Sequence, residues 1–383
     1  MDFELNEEQR LIKNAVRDFL EKEIAPFVDE YESERKPLTK EIFKKLEPLG
    51  YTKALIPENM GGLGLDFVSY CIMIEELSRV WGSLRTIVTS TGAVSFLISK
   101  RGTKHQIEKF LPGLLAMDDI GCIAITEPNV GSDASAIETG ATCNGNHYLL
   151  NGTKTLITGG SMADVLTVFA TVDRAKKSKG ITAFLVRKDE SEFETSDIRK
   201  MGMHASVLSE LHFDDCKVPL ENRLGEEGEG LKIALYGVNL GRVTVAFTVI
   251  GLAEASLEAS IRYAKKRAQF GKTIASFQLV QEMVVDMSVK VEAARLLGYK
   301  AAELLNKDID CRREASFAKL FSTEAALDVI HKSIQIHGGY GYTEEYPLER
   351  YYRDARHLTI ADGTNEIQKL IIGREILGVS ALV

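Results

Sequence analysis

Near the end of the chain, "ADGTNEIQKLIIGREILG" sets one acid, Asp362, directly before Gly363 and Thr364. As a turn residue, an aspartate there supports the bend through its own backbone. As a base, a carboxylate held on a strained turn beside a helix start can take a proton from a carbon acid. Spacing alone leaves both readings open. A second group of residues could hold a flat, phosphate-bearing cofactor. "AITEPNVGSDAS" supplies Thr126, Gly131, Ser132, Asp133 and Ser135, and "TKTLITGGS" supplies Thr153, Thr155, Thr158 and Ser161. Amides and hydroxyls in such turns can cradle phosphates or ring carbonyls. They are equally consistent with ordinary β-turns. In "YAKKRAQFGKTIASFQ", Arg267, Gln269 and Phe270 end a long helical stretch. They read as a cation and an aromatic that grip a nucleotide, or as a solvated basic helix end.

Other chemistries find no support. "GGYGYTEEYP" has Gly339 and Gly341 but no third glycine and no strand before it, so a dinucleotide-binding βαβ unit is not expected. No phosphate-loop lysine motif occurs. The seven histidines show no paired metal spacing, and the five cysteines are scattered without a CxxC pair. Neither a metal site nor a disulfide framework is expected, and a reduced cytoplasm is the expected setting. The net charge is −8 with no basic stripe, which argues against nucleic acid as a partner. No uncharged apolar run reaches about 18 residues, so no membrane span is expected. The acidic start "MDFELNEEQR" predicts neither a secretory signal nor a transit peptide.

The elements that must position these residues fall into three segments, as 383 residues with 45% apolar and 27% charged content allow. Residues 1–120 read as helices. Asn6 with Gln9 resembles a capping box, Pro26 stops the first helix, and Asp66 caps a later one. Residues 121–227 read as a run of strands with no helix between them, predicting an antiparallel sheet. Asn151-Gly152 predicts a hairpin there. Residues 228–383 read as a bundle of long helices. The last helix is expected to start at Asn365, with Gln368 completing a capping box. The fold class is therefore α+β, with helices, then sheet, then bundle.

Five stretches occur in order: "AITEPNVGSD", "NGTKTLITGG", "YAKKRAQFGKTIASFQ", "QIHGGYGYTEEYPLERYYRDAR" and "ADGTNEIQKLIIGREILG". Together they resemble the acyl-CoA dehydrogenase flavoproteins over essentially the whole chain. The resemblance implies that family's fold: an N-terminal helical domain, a middle β domain and a C-terminal four-helix bundle. It also implies FAD as cofactor. Ile123, Ile125, Thr126, Gly131, Ser132, Leu156 and Thr158 would meet the flavin end. Arg267, Gln269, Phe270, Gln278, Gln335, Gly338 and Gly339 would reach the adenosine half of a neighbour's FAD, and Thr364 and Glu366 would complete the site. Such sharing implies a homotetramer, a dimer of dimers. Ser132, Asn239, Arg242, Gly363 and Arg374 would bind the coenzyme A thioester. Electron-transferring flavoprotein is the implied acceptor.

By the same resemblance, Asp362 occupies the place of the family's usual glutamate base. The place another branch uses for its base is Gly241 here. Leu156 stands where the family usually has tryptophan. Asp362 would take the α-proton while the β-hydride passes to flavin N5. An aspartate is one methylene shorter than glutamate, and a misplacement of about 1 Å can cost roughly a hundredfold in rate. A substrate branched or cyclic at the α-carbon would fill the space. The acyl pocket would be lined by "WGSLRTIVTSTG", where Arg85 and Thr89 share a helix face. Thr91 stands where diene-forming alicyclic relatives carry an aspartate. Arg85 aligns with an arginine that grips a far carboxylate in the glutaryl-CoA branch. The expected reaction is dehydrogenation of cyclohexane-1-carboxyl-CoA to cyclohex-1-ene-1-carboxyl-CoA. Glutaryl-CoA and short branched acyl-CoA are the alternatives, and a flavin monooxygenase on the same fold is the alternative of another class.

Overall fold

The computed structural model describes residues 4–381. The first segment contains α1 (Glu7–Glu23), α2 (Ala25–Ser33), α3 (Lys40–Lys44), α4 (Phe67–Val80), α5 (Gly82–Arg101) and α6 (Lys104–Leu115). Asn6 and Gln9 form the anticipated capping box, each side chain meeting the other's backbone N–H. Asp66 caps α4 by accepting from Val68 N and Ser69 N. Pro26 lies in the first turn of α2. A proline is tolerated there because its missing N–H would have no partner within the helix.

Eight strands follow: β1 (Gly121–Ala124), β2 (Gly140–Asn144), β3 (His147–Thr158), β4 (Val165–Thr171), β5 (Ile181–Arg187), β6 (Glu194–Asp197), β7 (Leu208–Pro219) and β8 (Arg223–Leu224). Their order is β6-β7-β3-β2-β4-β5-β8, with β1 also paired to β4. The sheet corrects the sequence reading twice. It is not wholly antiparallel, because β4 runs parallel to both β1 and β2. Asn151-Gly152 is also not a hairpin: β3 runs straight through it, with a register shift against β7. Asn151 is tied sideways to Asp215, donating through Nδ2 (3.0 Å) and accepting from its N–H (2.9 Å). A Cβ on Gly152 would lie 2.7 Å from Thr139 Oγ1, so this glycine serves a close approach of two chains. The true hairpin joins β2 to β3 at Gly145, whose φ is +65°.

The last segment contains α7 (Gly230–Lys266), the two-stranded β9 (Ala268–Gln269) and β10 (Lys272–Thr273), α8 (Gln278–Asn306), α9 (Arg312–His337), α10 (Leu348–Arg356) and α11 (Asn365–Leu377). Against expectation, α7 is long and apolar enough to cross a membrane; 67% of its most apolar stretch is buried inside the protein. It packs against α4, α8 and α9 as the core helix of the bundle. Arg295 of α8 fastens the first segment to it, bonding Glu75 of α4 and Glu254 of α7 at 2.9 Å each.

Candidate active site

Asp362 sits between α10 and α11 in the left-handed region, with φ +53°, followed by Gly363 at +87°. That region costs a non-glycine residue about 1–2 kcal/mol, though Asp visits it more readily than most. Such strain persists where the surroundings over-determine it. Here Gln368 Nε2 donates to Asp362 O (3.2 Å) and Gly363 O (2.8 Å), and Arg242 Nε donates to Asp362 O (3.4 Å). Lys319 Nζ, from α9, donates to Thr359 O and Gly363 O at 3.0 Å each. The N-cap of α11 is Thr364, not the expected Asn365; its hydroxyl accepts from Ile367 N. Asn365 turns inward instead and accepts from Lys319 (2.8 Å) and Thr323 (3.1 Å).

Asp362 is exposed as a residue, while neighbouring protein largely buries its carboxyl. That burial pushes its pKa above the ordinary carboxylate value, while Arg85, Arg242 and Lys319 pull the other way. Gly241 of α7 lies against it: a Cβ there would be 2.7 Å from Asp362 Oδ2. Among the described residues nothing accepts a hydrogen bond from the Asp362 N–H. Arg85, on α5, is 5% exposed, and its Nε lacks a partner among the described residues. Burial draws its guanidinium down to about 10, with Asp362 opposing. His357 donates through Nδ1 to Asp354 O (2.8 Å). His357 is exposed as a residue, but protein packed around its ring, with Arg85, Lys200 and Lys319 nearby, draws it down to about 4.

Helix α5 joins this turn to the end of the sheet. Thr91 is fully buried; its hydroxyl donates to Ile87 O (2.9 Å) and accepts from Gly121 N (3.1 Å). It ties α5 to β1, its hydroxyl spent on backbone partners. Thr89 donates to Arg85 O within the helix. Ile87 packs 3.2 Å from where a Cβ on Gly159 would stand, so Thr158 ends its strand beside α5. Thr126 O accepts from Thr155 N (2.9 Å), bringing its loop to the same place. Ile123, Ile125 and Thr126 are half-buried, and Gly131 and Ser132 are exposed. Leu156 is 55% exposed at φ +57°.

A buried ion pair that sequence reasoning missed fixes that loop. Lys154, fully buried, donates to Ile125 O (2.9 Å) and Glu127 Oε1 (2.7 Å). Glu127 also accepts from Glu138 N and Thr139 N. Burial draws Lys154 down to about 8. The same burial opposes the charge on Glu127, but Lys154 and its other donors outweigh it and hold its pKa low. The signal was present: Lys154 is in phase with the inward-facing Tyr148 and Leu150 of its strand.

A second group meets elsewhere. Arg267, Gln269, Gly338 and Gly339 line one groove of about 540 Å³ with Tyr263 and His337. His337 is 2% exposed; its Nδ1 donates to Ser333 O (2.8 Å), and its Nε2 has no partner among the described residues. This orphaned acceptor, beside an arginine and open glycines, suits the amino and hydroxyl groups of a nucleotide, so the residues present fit the adenosine half of FAD. Phe270 stands 93% exposed nearby, and Gln278, Gln335 and Glu366 are also exposed. Asn239 accepts from Arg242 (2.9 Å), and Arg374 pairs with Glu375 (3.2 Å). Among the described residues no cluster could hold a metal ion.

The chain matches the acyl-CoA dehydrogenase N-terminal, middle and C-terminal domains over residues 6–118, 122–216 and 228–377. It is 41% identical over 379 residues to the short-chain-specific acyl-CoA dehydrogenase of Clostridium acetobutylicum, covering 98% of this chain and 100% of that protein. It is 39% identical over 376 residues to the caffeyl-CoA reductase–Etf complex subunit CarC of Acetobacterium woodii, covering 97% and 99%. It superposes on a glutaryl-coenzyme A dehydrogenase in complex with glutaryl-CoA with a TM-score of 0.96 at 37% identity, covering 99% and 97%. None of these is named for an alicyclic substrate.

Proposed function

The chain belongs to the acyl-CoA dehydrogenase family, FAD-binding oxidoreductases that act on CH–CH bonds, and from that premise we propose that Asp362 takes the α-proton of its thioester substrate. FAD, when bound, supplies the acceptor for the hydride leaving the β-carbon. The chain's own residues do the rest. The left-handed turn sets the Asp362 carboxyl against Gly241, and the protein packed around it makes it a stronger base than a solvated aspartate. The unoccupied Asp362 N–H is a donor for the thioester oxygen as negative charge gathers on it. Arg267, Gln269, Gly338 and Gly339 would hold the adenosine half of the cofactor of a second copy, and Thr126, Ser132 and Thr158 the flavin end of the chain's own cofactor. Asn239, Arg242 and Arg374 would hold coenzyme A. The single observation that carries this reading is the placement of Asp362, in a strained turn held by three side chains, with Arg85, Arg242 and Lys319 around its carboxyl.

The acyl group we propose is cyclohexane-1-carboxyl, converted to cyclohex-1-ene-1-carboxyl. Asp362 is a short acid drawn against the bare backbone of Gly241, which suits a bulky α-carbon. A second reading, a dicarboxylic acyl group such as glutaryl, is favoured by Arg85, a buried guanidinium whose Nε lacks a partner. Short branched acyl groups are the third, in keeping with the short-chain relative. An electron-transferring flavoprotein is the proposed acceptor, and a homotetramer the proposed assembly. The test is turnover and flavin bleaching by the purified holoenzyme with each thioester and an artificial acceptor. Highest kcat/KM on the ring substrate supports the first reading. Preference for glutaryl-CoA, lost in Arg85→Ala, selects the second. No turnover of the ring thioester, or faster turnover by Asp362→Glu on it, rejects the first.

A further inference from the structure

Beneath the Asp362 turn lies a lysine whose charge the chemistry above does not use. Lys319 is fully buried on α9. Its ammonium carries three hydrogens, and each has an acceptor: Thr359 O (3.0 Å), Gly363 O (3.0 Å) and Asn365 Oδ1 (2.8 Å). None of the three is a carboxylate. A buried cation bonded only to neutral oxygens carries a desolvation penalty that an ion pair would offset. The acceptors are not scattered. Thr359 lies before Asp362, Gly363 directly after it, and Asn365 is the first residue of α11, so one ammonium joins the entry and the exit of the turn.

We propose that Lys319 is the positioning residue of the Asp362 base: it pins both ends of the left-handed turn and supplies a nearby positive charge to the working carboxylate. The inference rests on Asp362 being the proton acceptor. Lys319 makes and breaks no covalent bond; the proton passes from the α-carbon to the Asp362 carboxylate. The charged groups acting on that carboxylate are Arg85 on α5, Arg242 on α7 and Lys319 on α9; Lys319 in turn faces Arg242, Glu324 on α9 and Glu366 on α11, and His357 after α10 faces Arg85 and Lys319. Burial draws Lys319 itself down to about 8, with Asp362 the strongest opposing influence. Below that pH the cation is present; above it the ammonium loses both its charge and one of its three hydrogens. The base should therefore work between an acid limb set by Asp362 and an alkaline limb near pH 8 set by Lys319.

The experiment follows proton removal without turnover. The holoenzyme is mixed with a 3-thia-acyl-CoA, which has acidic α-hydrogens and no hydrogen at position 3. Deuterium uptake at the α-carbon is read by mass spectrometry across pH. Lys319→Met should slow uptake at pH 7 by about tenfold or more and move the acid limb upward, because loss of a nearby cation raises a carboxyl pKa by about one unit or more. Lys319→Arg, which stays protonated, should keep the acid limb and lose the alkaline one. A Met variant with unchanged rate and limbs overturns the proposal. Should that variant not fold, Asn365→Asp sets a carboxylate on the same ammonium and must raise the acid limb; an unmoved limb is equally fatal. Asp362→Asn separates the two claims. Full uptake by that variant rejects the base itself, whereas a silent Asp362→Asn beside an unmoved Lys319→Met rejects only the lysine.

Discussion

Gly241→Ala should separate activity from stability. The added methyl would lie 2.7 Å from Asp362 Oδ2 and 3.1 Å from its Cγ. Carbon and oxygen in ordinary contact stand at roughly 3.4 Å, so the carboxylate must withdraw by about 0.7 Å or turn aside. That movement costs the fold little, because the displaced atom is the end of the side chain of an exposed residue. Inside helix α7, alanine in place of glycine is worth up to about 1 kcal/mol in the fold's favour. The loss falls on geometry instead. A displacement approaching 1 Å at a reacting group lowers the rate by roughly a hundredfold, or about 2.7 kcal/mol of barrier. The assay is kcat with an artificial acceptor beside the thermal midpoint of the same preparation. The expected result is kcat down about fiftyfold to a hundredfold with the midpoint unchanged or raised. A Gly241→Ala enzyme within threefold of the parent would show that Asp362 does not work from the position described. A lowered midpoint would refute the packing argument instead.

Two further outcomes test the framework around the site. Lys154→Met leaves Glu127 buried without its cation and should lower stability by about 3–5 kcal/mol, read as a fall in the urea midpoint; an unmoved midpoint rejects the role given to this pair. Burial, with Glu32 adding to it, pushes Asp354 up to about 7. Its folded pKa thus lies above its unfolded value, so its contribution is fully present below about pH 4 and fades as pH rises through about 7. Asp354→Asn should therefore gain stability relative to the parent between pH 5 and pH 8, as thermal midpoints at the two values would show, and an equal difference at both pH values would contradict it.

Much of this protein could be read along the chain, because helix signals are local. The Asn6–Gln9 box, the Asp66 cap and the run of long helices after residue 228 each depend on neighbours three or four residues apart. The Asp362-Gly363 pair was visible for the same reason, though whether it was a turn or a base was not. Other features came from residues far apart in sequence. Which Asn-Gly pair makes the hairpin was decided by Asp215 and Thr139 pressing on residues 151–152. The parallel pairing of β1 with β4 leaves no local trace, since strand direction is settled only when strands meet.

The site divides in the same way. Residue types and order determined that a carboxylate would stand before a helix and that hydroxyl-bearing turns would precede it. Only the tertiary structure decided that Thr91 faces the sheet, that Lys319 closes the turn from 44 residues away, and that Arg242 reaches Asp362 across 120. The physical reason is that a side chain's charge and shape belong to the residue. Its desolvation and hydrogen-bond partners belong to whatever the folded chain brings beside it, and a lysine on a helix reads as solvated until another segment buries it.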